Sequence, residues 1–261
     1  MVTTLQSLTV YFRYRWLVYE LVLRDLSLRY RGSALGFAWT LLNPLLFMAI
    51  YTLVFAVYLR VDIVNYPAFL LSGLVPWSWL AGALGQGTSS IVDGRMYVGK
   101  TLFPMQILVI VPVLSNGINF IFSLPILFLF VIVLHVHLGP SLVMLPLIIL
   151  IQGAMVLGAA TLAATFNVFY RDLQQLILYI LTVLFYMTPI FYIPSLVPEK
   201  FQFLIVWNPF AALIACYHAI LYAGTFPSVY DLVFSLVFSI LLLGVARGCF
   251  VRYREAFSEY V

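Results

Sequence analysis

The sequence predicts an all-α integral membrane protein with six transmembrane helices, an N-terminal amphipathic interface helix and a re-entrant outer helical hairpin before the last span. Its 261 residues are 64% hydrophobic and only 8% charged, whereas soluble domains are about 45–50% apolar and about 25% charged. The apolar runs reach the ~20 residues of a spanning helix, and they lack the ~10-residue alternation of a membrane barrel. The composition and run lengths therefore favour a helical bundle in the membrane.

The first predicted element is the interface helix YFRYRWLVYELVLRDLSLRYR, residues 11–31. Helical spacing places one group of polar residues on a common face and one group of apolar residues on another. The polar face contains Arg13, Glu20, Arg24, Ser27 and Arg31, and the apolar face contains Phe12, Trp16, Tyr19, Leu23, Leu26 and Tyr30. Such a helix lies at the membrane surface. It serves as a lipid anchor, as a docking or gating element, or as both.

Seven apolar blocks follow, and the distribution of charge decides how many of them cross the membrane. The blocks are 34–59, 67–91, 105–134, 141–169, 175–193, 201–223 and 230–250. Trp207-Asn208-Pro209 breaks the sixth block. Suppose that this block does not cross and that the N-terminus is cytoplasmic. Of the 13 lysines and arginines, all are then cytoplasmic except Arg60 and Lys200.

A crossing sixth block would instead place the three C-terminal arginines outside, against the tendency of basic residues to accumulate on the cytoplasmic side. We therefore expect one transmembrane domain, 1–261, with six spans and both termini in the cytoplasm. Residues 194–229 then form the re-entrant hairpin, which is permitted where its turn is buried in protein or lines a cavity.

The loop between the second and third spans contains GRMYVGKT, Gly94 to Thr101, which matches the phosphate-binding pattern G-x-x-x-x-G-K-[ST]. That pattern functions at a strand-to-helix turn of an α/β domain, and a loop of about a dozen residues has no room for one. Pro104 also disfavours helical geometry at Phe103. We expect no ATP binding here. The loop is a short basic element that is available to a partner.

The sequence disfavours catalysis, metal binding and ion-coupled transport. The first four spans contain no Asp, Glu, Lys or Arg, whereas ion-driven carriers usually hold such groups within the membrane. The carboxylates are dispersed singly, without the clusters of membrane transferases. His135 and His137 lack a nearby carboxylate to complete a metal site. We therefore predict no catalytic residue, no metal site and no cofactor bound by this chain.

Aromatic residues make up 17% of the chain and are frequent in the first and fifth spans. Packing or lipid contact explains many of them. The functional alternative is a channel lined by rings, which suits sugars because their C–H faces pack on aromatic rings without requiring charge. The channel candidates are Trp39, Tyr51, Phe55, Tyr58 and Phe185.

Four stretches resemble the permease subunits of polysaccharide-exporting ABC transporters, the type 2 family that exports O-antigen, capsule and teichoic acid. They are LVLRDLSLRYRGSALGFAWTLLNPLLFMAIYTLVF (21–55), KTLFPMQILVIVPV (100–113), NVFYRDLQQLILYILTVLFYMTPIFY (167–192) and NPFAALIACYHAILYAG (208–224). The resemblance implies a homodimeric channel and two separate ATPase subunits that hold ATP and Mg²⁺. It also implies export of a lipid-linked polysaccharide across the bacterial inner membrane. Export of small hydrophobic compounds and a membrane glycan or lipid transferase are the alternatives.

The resemblance suggests roles for two groups of residues near the cytoplasmic surface. A lipid-linked glycan carries a diphosphate, for which the planar donors of arginine and the backbone near glycine are suited. The entrance candidates are Arg24, Arg29, Arg31, Gly32 and Gly36. The alternative is that these arginines have no role in substrate binding and only reflect the accumulation of basic residues on the cytoplasmic side, where they contact anionic lipid. The candidates for ATPase docking are Arg13, Glu20, Arg95, Tyr97, Lys100 and Phe103.

Overall fold

The computed structural model describes residues 14–97 and 103–260, and the ordered elements in these ranges are helical. The first half contains α1 (Arg15–Tyr30), α2 (Trp39–Tyr51), α3 (Tyr66–Asp93) and α4 (Gln106–Val133). The second half contains α5 (Leu145–Asn167), α6 (Leu173–Met187), α7 (Glu199–Val206), α8 (Pro209–Leu221), α9 (Val229–Tyr253) and α10 (Phe257–Tyr260). Short 3₁₀ turns precede α2, α5 and α7, and a π-helical segment, Thr52–Tyr58, follows α2. Arg13 and Lys100 lie outside the described residues.

Within the described residues, five helical segments are long and apolar enough to cross a membrane, or six if one bent pair counts as a single span. The five are Gly36–Tyr58, Tyr66–Asp93, Gln106–Val133, Pro140–Asn167 and Val229–Tyr253, and the bent pair is α7 and α8. The chain is therefore a multi-pass membrane protein. The predicted all-α membrane fold, with a bent helical pair before the last span, is confirmed.

The helix α6 is shorter than the block 175–193 from which the fifth span was predicted. Its 15 residues extend about 22 Å, less than the ~30 Å of a bilayer core. The helix ends because Thr188 precedes Pro189, a position that disfavours helical geometry, and Thr188 is extended with ψ 131°. Residues 188–193 therefore continue the apolar block as non-helical chain.

Helix α3 forms the centre of the bundle, and α4, α5, α6 and α8 pack around it. In its most apolar window 78% of the residues are buried, compared with 11% for the first span. At Gly87 an added Cβ would lie 2.8 Å from the Cβ of Ala160, so glycine permits the close approach of α3 and α5. The first span is thus peripheral in the single chain and leaves a broad apolar face uncovered.

The bend between α7 and α8 measures 87° and lies at Trp207-Asn208. The side chain of Asn208 accepts a hydrogen bond from the backbone N–H of Phe210 at 3.0 Å, which caps α8. Its Nδ2 also donates to Thr188 Oγ1 at 3.2 Å. Because Asn208 is only 7% exposed, this one residue fixes the buried turn and ties it to the end of α6.

Helix α1 packs against α4 through a face that differs from the two faces predicted from the sequence. Val18, Leu21, Val22, Asp25 and Arg29 turn inward, and Val22 is buried. Leu26 and Tyr30, from the predicted apolar face, are partly buried beside them. The predicted apolar residues Trp16, Tyr19 and Leu23 remain exposed, as a surface facing lipid requires. The helix therefore has three faces, and Arg29 lies on the one that contacts protein.

Candidate functional site

Two cavities meet at Arg29. The first, which we call the entrance cavity, has a volume of about 920 Å³ and lies between α1, α3, α4 and the start of α6. The second, which we call the aromatic cavity, has a volume of about 710 Å³ and lies between the end of α1 and helices α2, α3, α4 and α6. Arg29 lines both cavities, and it is the only charged residue among the described residues that line the aromatic cavity. The guanidinium thus marks the boundary between a charged and an uncharged compartment.

Three acceptors hold the Arg29 guanidinium in this position. It donates to Asp25 Oδ2 at 2.9 Å, to Gln86 Oε1 at 2.7 Å and to Asn116 Oδ1 at 3.1 Å. Asn116 is itself fixed, because its Nδ2 donates to Gln86 Oε1 at 2.9 Å and to the Pro112 carbonyl at 2.7 Å. The partners come from α1, α3 and α4, so the network joins the interface helix to the core.

The other entrance candidates occupy different environments. Arg24 lines the entrance cavity and its Nη1 donates to the Tyr97 hydroxyl at 3.3 Å. Arg31 is exposed and lines neither cavity. Gly32 and Gly36 adopt positive φ angles of 79° and 49°, which supply the bend expected at the junction. The Gly36 N–H already donates to Ser33 Oγ at 3.2 Å. Arg24 and Arg29 are therefore brought together, and Arg31 is apart.

Most of the predicted channel aromatics gather at one place. Tyr51 packs on Phe55 and Phe185, with ring centroids at 6.1 Å and 5.9 Å. Phe191 completes the cluster, with its ring centroid 5.9 Å from that of Tyr51 and 4.8 Å from that of Phe55. Trp39, Tyr51 and Phe185 line the aromatic cavity. Tyr58 is 71% exposed and lies outside both the cluster and the cavity.

Of the docking candidates that the structure describes, Tyr97 and Phe103 lie next to the entrance cavity. Tyr97 and Phe103 stack on each other with centroids at 4.8 Å and an interplanar angle of 26°. Tyr97 also lines the entrance cavity and accepts the hydrogen bond from Arg24. Glu20 and Arg95 are exposed. The loop after α3 therefore contacts the interface helix directly, through Arg24 and Tyr97.

Sequence reasoning missed the uncharged polar residues of the aromatic cavity. Asn43, Asn116 and Asn119 all line it, yet a search limited to ionisable groups passes over them. The available signal was the stretch SNGIN, residues 115–119, inside a block that is otherwise strongly apolar. Polar groups are costly to place within a membrane and are therefore typical of functional positions there.

No group of three or more His, Cys, Asp or Glu that could hold a metal ion occurs in the part of the chain that the structure describes. Cys216 and Cys249 are free thiols, the first buried and the second partly buried. Gly94 ends α3 beside Leu108, and residues 98–102, with the rest of the phosphate-loop match, lie outside the described ranges.

These features define a multi-pass helical membrane protein with a polar cluster around Arg29 between two internal cavities. The model of the family described as ABC-2 type transporter matches residues 17–222, and the chain belongs to that family. The family resemblance seen in the sequence is thus confirmed. The chain is 37% identical over 256 residues to the O-antigen export system permease protein RfbA of Myxococcus xanthus, covering 96% of this chain and 97% of that protein. It is 33% identical over 237 residues to the protein of the same name from Klebsiella pneumoniae, covering 90% and 91%.

Proposed function

We propose that this chain is the permease of an ATP-driven O-antigen export system and moves a lipid-linked polysaccharide from the cytoplasmic to the outer side of the bacterial inner membrane. Both relatives described above bear the name of an O-antigen export permease and align with nearly the whole chain. ATP hydrolysis then belongs to a separate ATPase subunit, which binds ATP and Mg²⁺. We place both termini in the cytoplasm, as the distribution of basic residues favours.

The observation that carries the proposal is the position of Arg29 between a charged and an uncharged cavity. A lipid-linked glycan has a matching arrangement, because its anionic diphosphate is joined directly to a neutral sugar chain. Arginine binds phosphate through two parallel N–H donors. The aromatic cavity offers ring faces and amides, and it contains no carboxylate among its described lining residues. A diphosphate at Arg24 and Arg29 and sugars beside Trp39, Tyr51 and Phe185 fit this arrangement.

We propose further that the working unit is a homodimer with two ATPase subunits. The first span leaves most of its surface uncovered, and its exposed residues include the aromatic side chains of Phe37, Trp39, Phe47 and Tyr58. A second copy related by two-fold symmetry would enclose the path between two such surfaces. The ATPase would contact Glu20, Arg95, Tyr97 and Phe103, and Arg13 and Lys100 remain candidates there.

A cysteine-accessibility experiment tests the path. In a Cys216→Ala, Cys249→Ala background, we expect Tyr51→Cys and Phe185→Cys to react with an aqueous thiol reagent during turnover, because both positions line the aromatic cavity. Leu150→Cys is the control and should stay unreactive, because Leu150 is 70% exposed on the span Pro140–Asn167 and lies outside both cavities. Inertness at both cavity positions under conditions in which export proceeds would place the path elsewhere.

A transporter of small hydrophobic compounds is the second candidate, because the aromatic cavity alone suits such a ligand. The two functions differ in their dependence on Arg29. Export of a neutral hydrophobic compound has no need of the guanidinium, whereas export of a diphosphate-linked glycan requires it. We therefore expect Arg29→Gln to raise the half-stimulating concentration of lipid-linked glycan by about two orders of magnitude in the complex. ATPase activity that is stimulated by a small hydrophobic compound but not by glycan, and that Arg29→Gln leaves unchanged, would favour the second candidate.

A further inference from the structure

We propose that the aromatic cavity contains a subsite for the first sugar of the lipid-linked glycan, recognised by the uncharged amides of Asn43 and Asn119 beside the indole rings of Trp39 and Trp77. The inference rests on the proposed function, because a diphosphate bound at Arg29 determines where the adjoining sugar lies. The ligand class is a neutral hexose or an N-acetylhexosamine attached to a lipid diphosphate.

The position of the subsite follows from the shared lining of the cavities. A lipid-linked diphosphate has a hydrocarbon tail on one side and a sugar on the other. The entrance cavity contains charged side chains besides Arg29, namely Arg24, Asp25 and Asp93. On the other side of Arg29 the aromatic cavity contains ring faces and amides. A sugar, with hydroxyl groups and apolar C–H faces but no charge, matches the second compartment.

The two amides have hydrogen-bonding capacity that the protein does not use. Asn43 is exposed, lines the cavity and forms no hydrogen bond with another described residue. Asn119 Oδ1 accepts from the Tyr30 hydroxyl at 3.1 Å, and that hydroxyl also hydrogen-bonds with Thr40 at 2.6 Å. This contact orients the amide of Asn119 and leaves its N–H groups for a ligand. Asparagine offers both donors and an acceptor, which suits a hydroxyl or an acetamido group.

The indole rings supply the apolar part of the subsite. Trp39 is 38% exposed, and Trp77 packs on Phe185 with ring centroids at 5.7 Å. Both rings line the same cavity as the amides. The cavity volume of about 710 Å³ lies within the roughly 300–1,000 Å³ that is usual for small-molecule sites. Rings for the C–H face together with amides for the polar edge favour a sugar over a purely hydrophobic ligand.

Binding of two probes to the permease–ATPase complex in lipid nanodiscs tests the subsite. The probes are farnesyl diphosphate and farnesyl diphosphate carrying one N-acetylglucosamine. We expect the wild-type complex to bind the sugar-bearing probe about tenfold more tightly, which corresponds to ~1.4 kcal/mol. Asn43→Ala should remove much of that difference and leave the affinity for farnesyl diphosphate unchanged. Asn119→Ala should act in the same direction.

Leu46→Ala is the matched control, because Leu46 lies one turn from Asn43 on the same helix, is 49% exposed and does not line the cavity. Equal wild-type affinities for the two probes would overturn the subsite, and so would a sugar preference that survives in Asn43→Ala. Failure of the proposed function has a different signature, in which neither probe binds or Arg29→Gln affects neither probe.

Discussion

The ion pair between Asp25 and Arg29 predicts that substitutions of its two members change substrate affinity in opposite directions. If Arg29 binds the diphosphate, Asp25 competes with the substrate for the guanidinium. Arg29→Gln should therefore weaken substrate binding strongly, whereas Asp25→Asn should strengthen it slightly. A purely structural ion pair predicts a different pattern, because loss of either partner would then impair the protein to a similar extent.

The contacts of Arg29 determine the expected magnitudes. A hydrogen bond to a charged group contributes ~1.5–3 kcal/mol, and loss of two at the lower end amounts to about 3 kcal/mol, on the order of 100-fold in Kd. The Asp25–Arg29 pair is a partly exposed i,i+4 pair, with side chains 36% and 24% exposed. Such pairs contribute only ~0.3–0.5 kcal/mol. Asp25→Asn should therefore lower the Kd about twofold.

The assay measures ATPase activity of the permease–ATPase complex in nanodiscs as a function of lipid-linked glycan concentration. The half-stimulating concentration should rise by about two orders of magnitude in Arg29→Gln and fall about twofold in Asp25→Asn. Thermal unfolding of each variant controls for damage to the network with Gln86 and Asn116. An unchanged half-stimulating concentration in Arg29→Gln, or an equally large rise in both variants, would refute the assignment of Arg29 to the diphosphate.

Three further predictions concern docking, the hairpin and the phosphate-loop match. Tyr97→Ala and Phe103→Ala should each reduce co-purification of the ATPase subunit, because their stacked rings form the apolar part of the proposed contact; unchanged assembly and coupled ATPase activity would misplace this surface. Asn208→Ala should lower the free energy of unfolding by about 1–2 kcal/mol through loss of the cap, and it should lower the thermal midpoint accordingly. The control Gln202→Ala, on exposed α7, should leave both quantities nearly unchanged. Lys100→Ala should leave nucleotide binding by the complex intact. Loss of nucleotide binding in this variant would instead support the hypothesis that this chain binds the nucleotide through its phosphate-loop match.

The helical membrane fold was predictable because apolar run length reports directly on bilayer thickness. The bend before the last span was predictable because Trp207-Asn208-Pro209 interrupts an apolar block. The inward face of α1 was not predictable from amphipathicity. Helical periodicity identifies a polar and an apolar face, yet Arg29 pairs with Asp25 on its own helix and also donates to Gln86 of α3 and Asn116 of α4. Only tertiary packing brings those two helices near.

The aromatic part of the site was partly predictable and its polar part was not. Spacing on one helix groups Tyr51 with Phe55. The structure brings the predicted Phe185 beside Tyr51 and adds Phe191, which was not among the candidates. The same spacing also suggested Tyr58. The intervening π-helical segment changes the number of residues per turn, and Tyr58 lies apart from the cluster. Long-range contacts such as the one between Arg29 and Asn116, 87 residues apart in the chain, have no signature in local sequence.

Direct measurement of glycan translocation tests the central claim, that this permease carries lipid-linked polysaccharide past Arg29. Proteoliposomes containing the permease–ATPase complex would be loaded with labelled lipid-linked O-antigen, and an added glycosidase would report the fraction on the far side. We predict that Mg²⁺ and ATP move the glycan and that omission of ATP stops it. At glycan concentrations below the wild-type half-stimulating concentration, Arg29→Gln should slow translocation by about two orders of magnitude while the complex remains assembled. Translocation at the wild-type rate by Arg29→Gln, or failure of the wild-type complex to move glycan while it exports a small hydrophobic dye, would contradict the account.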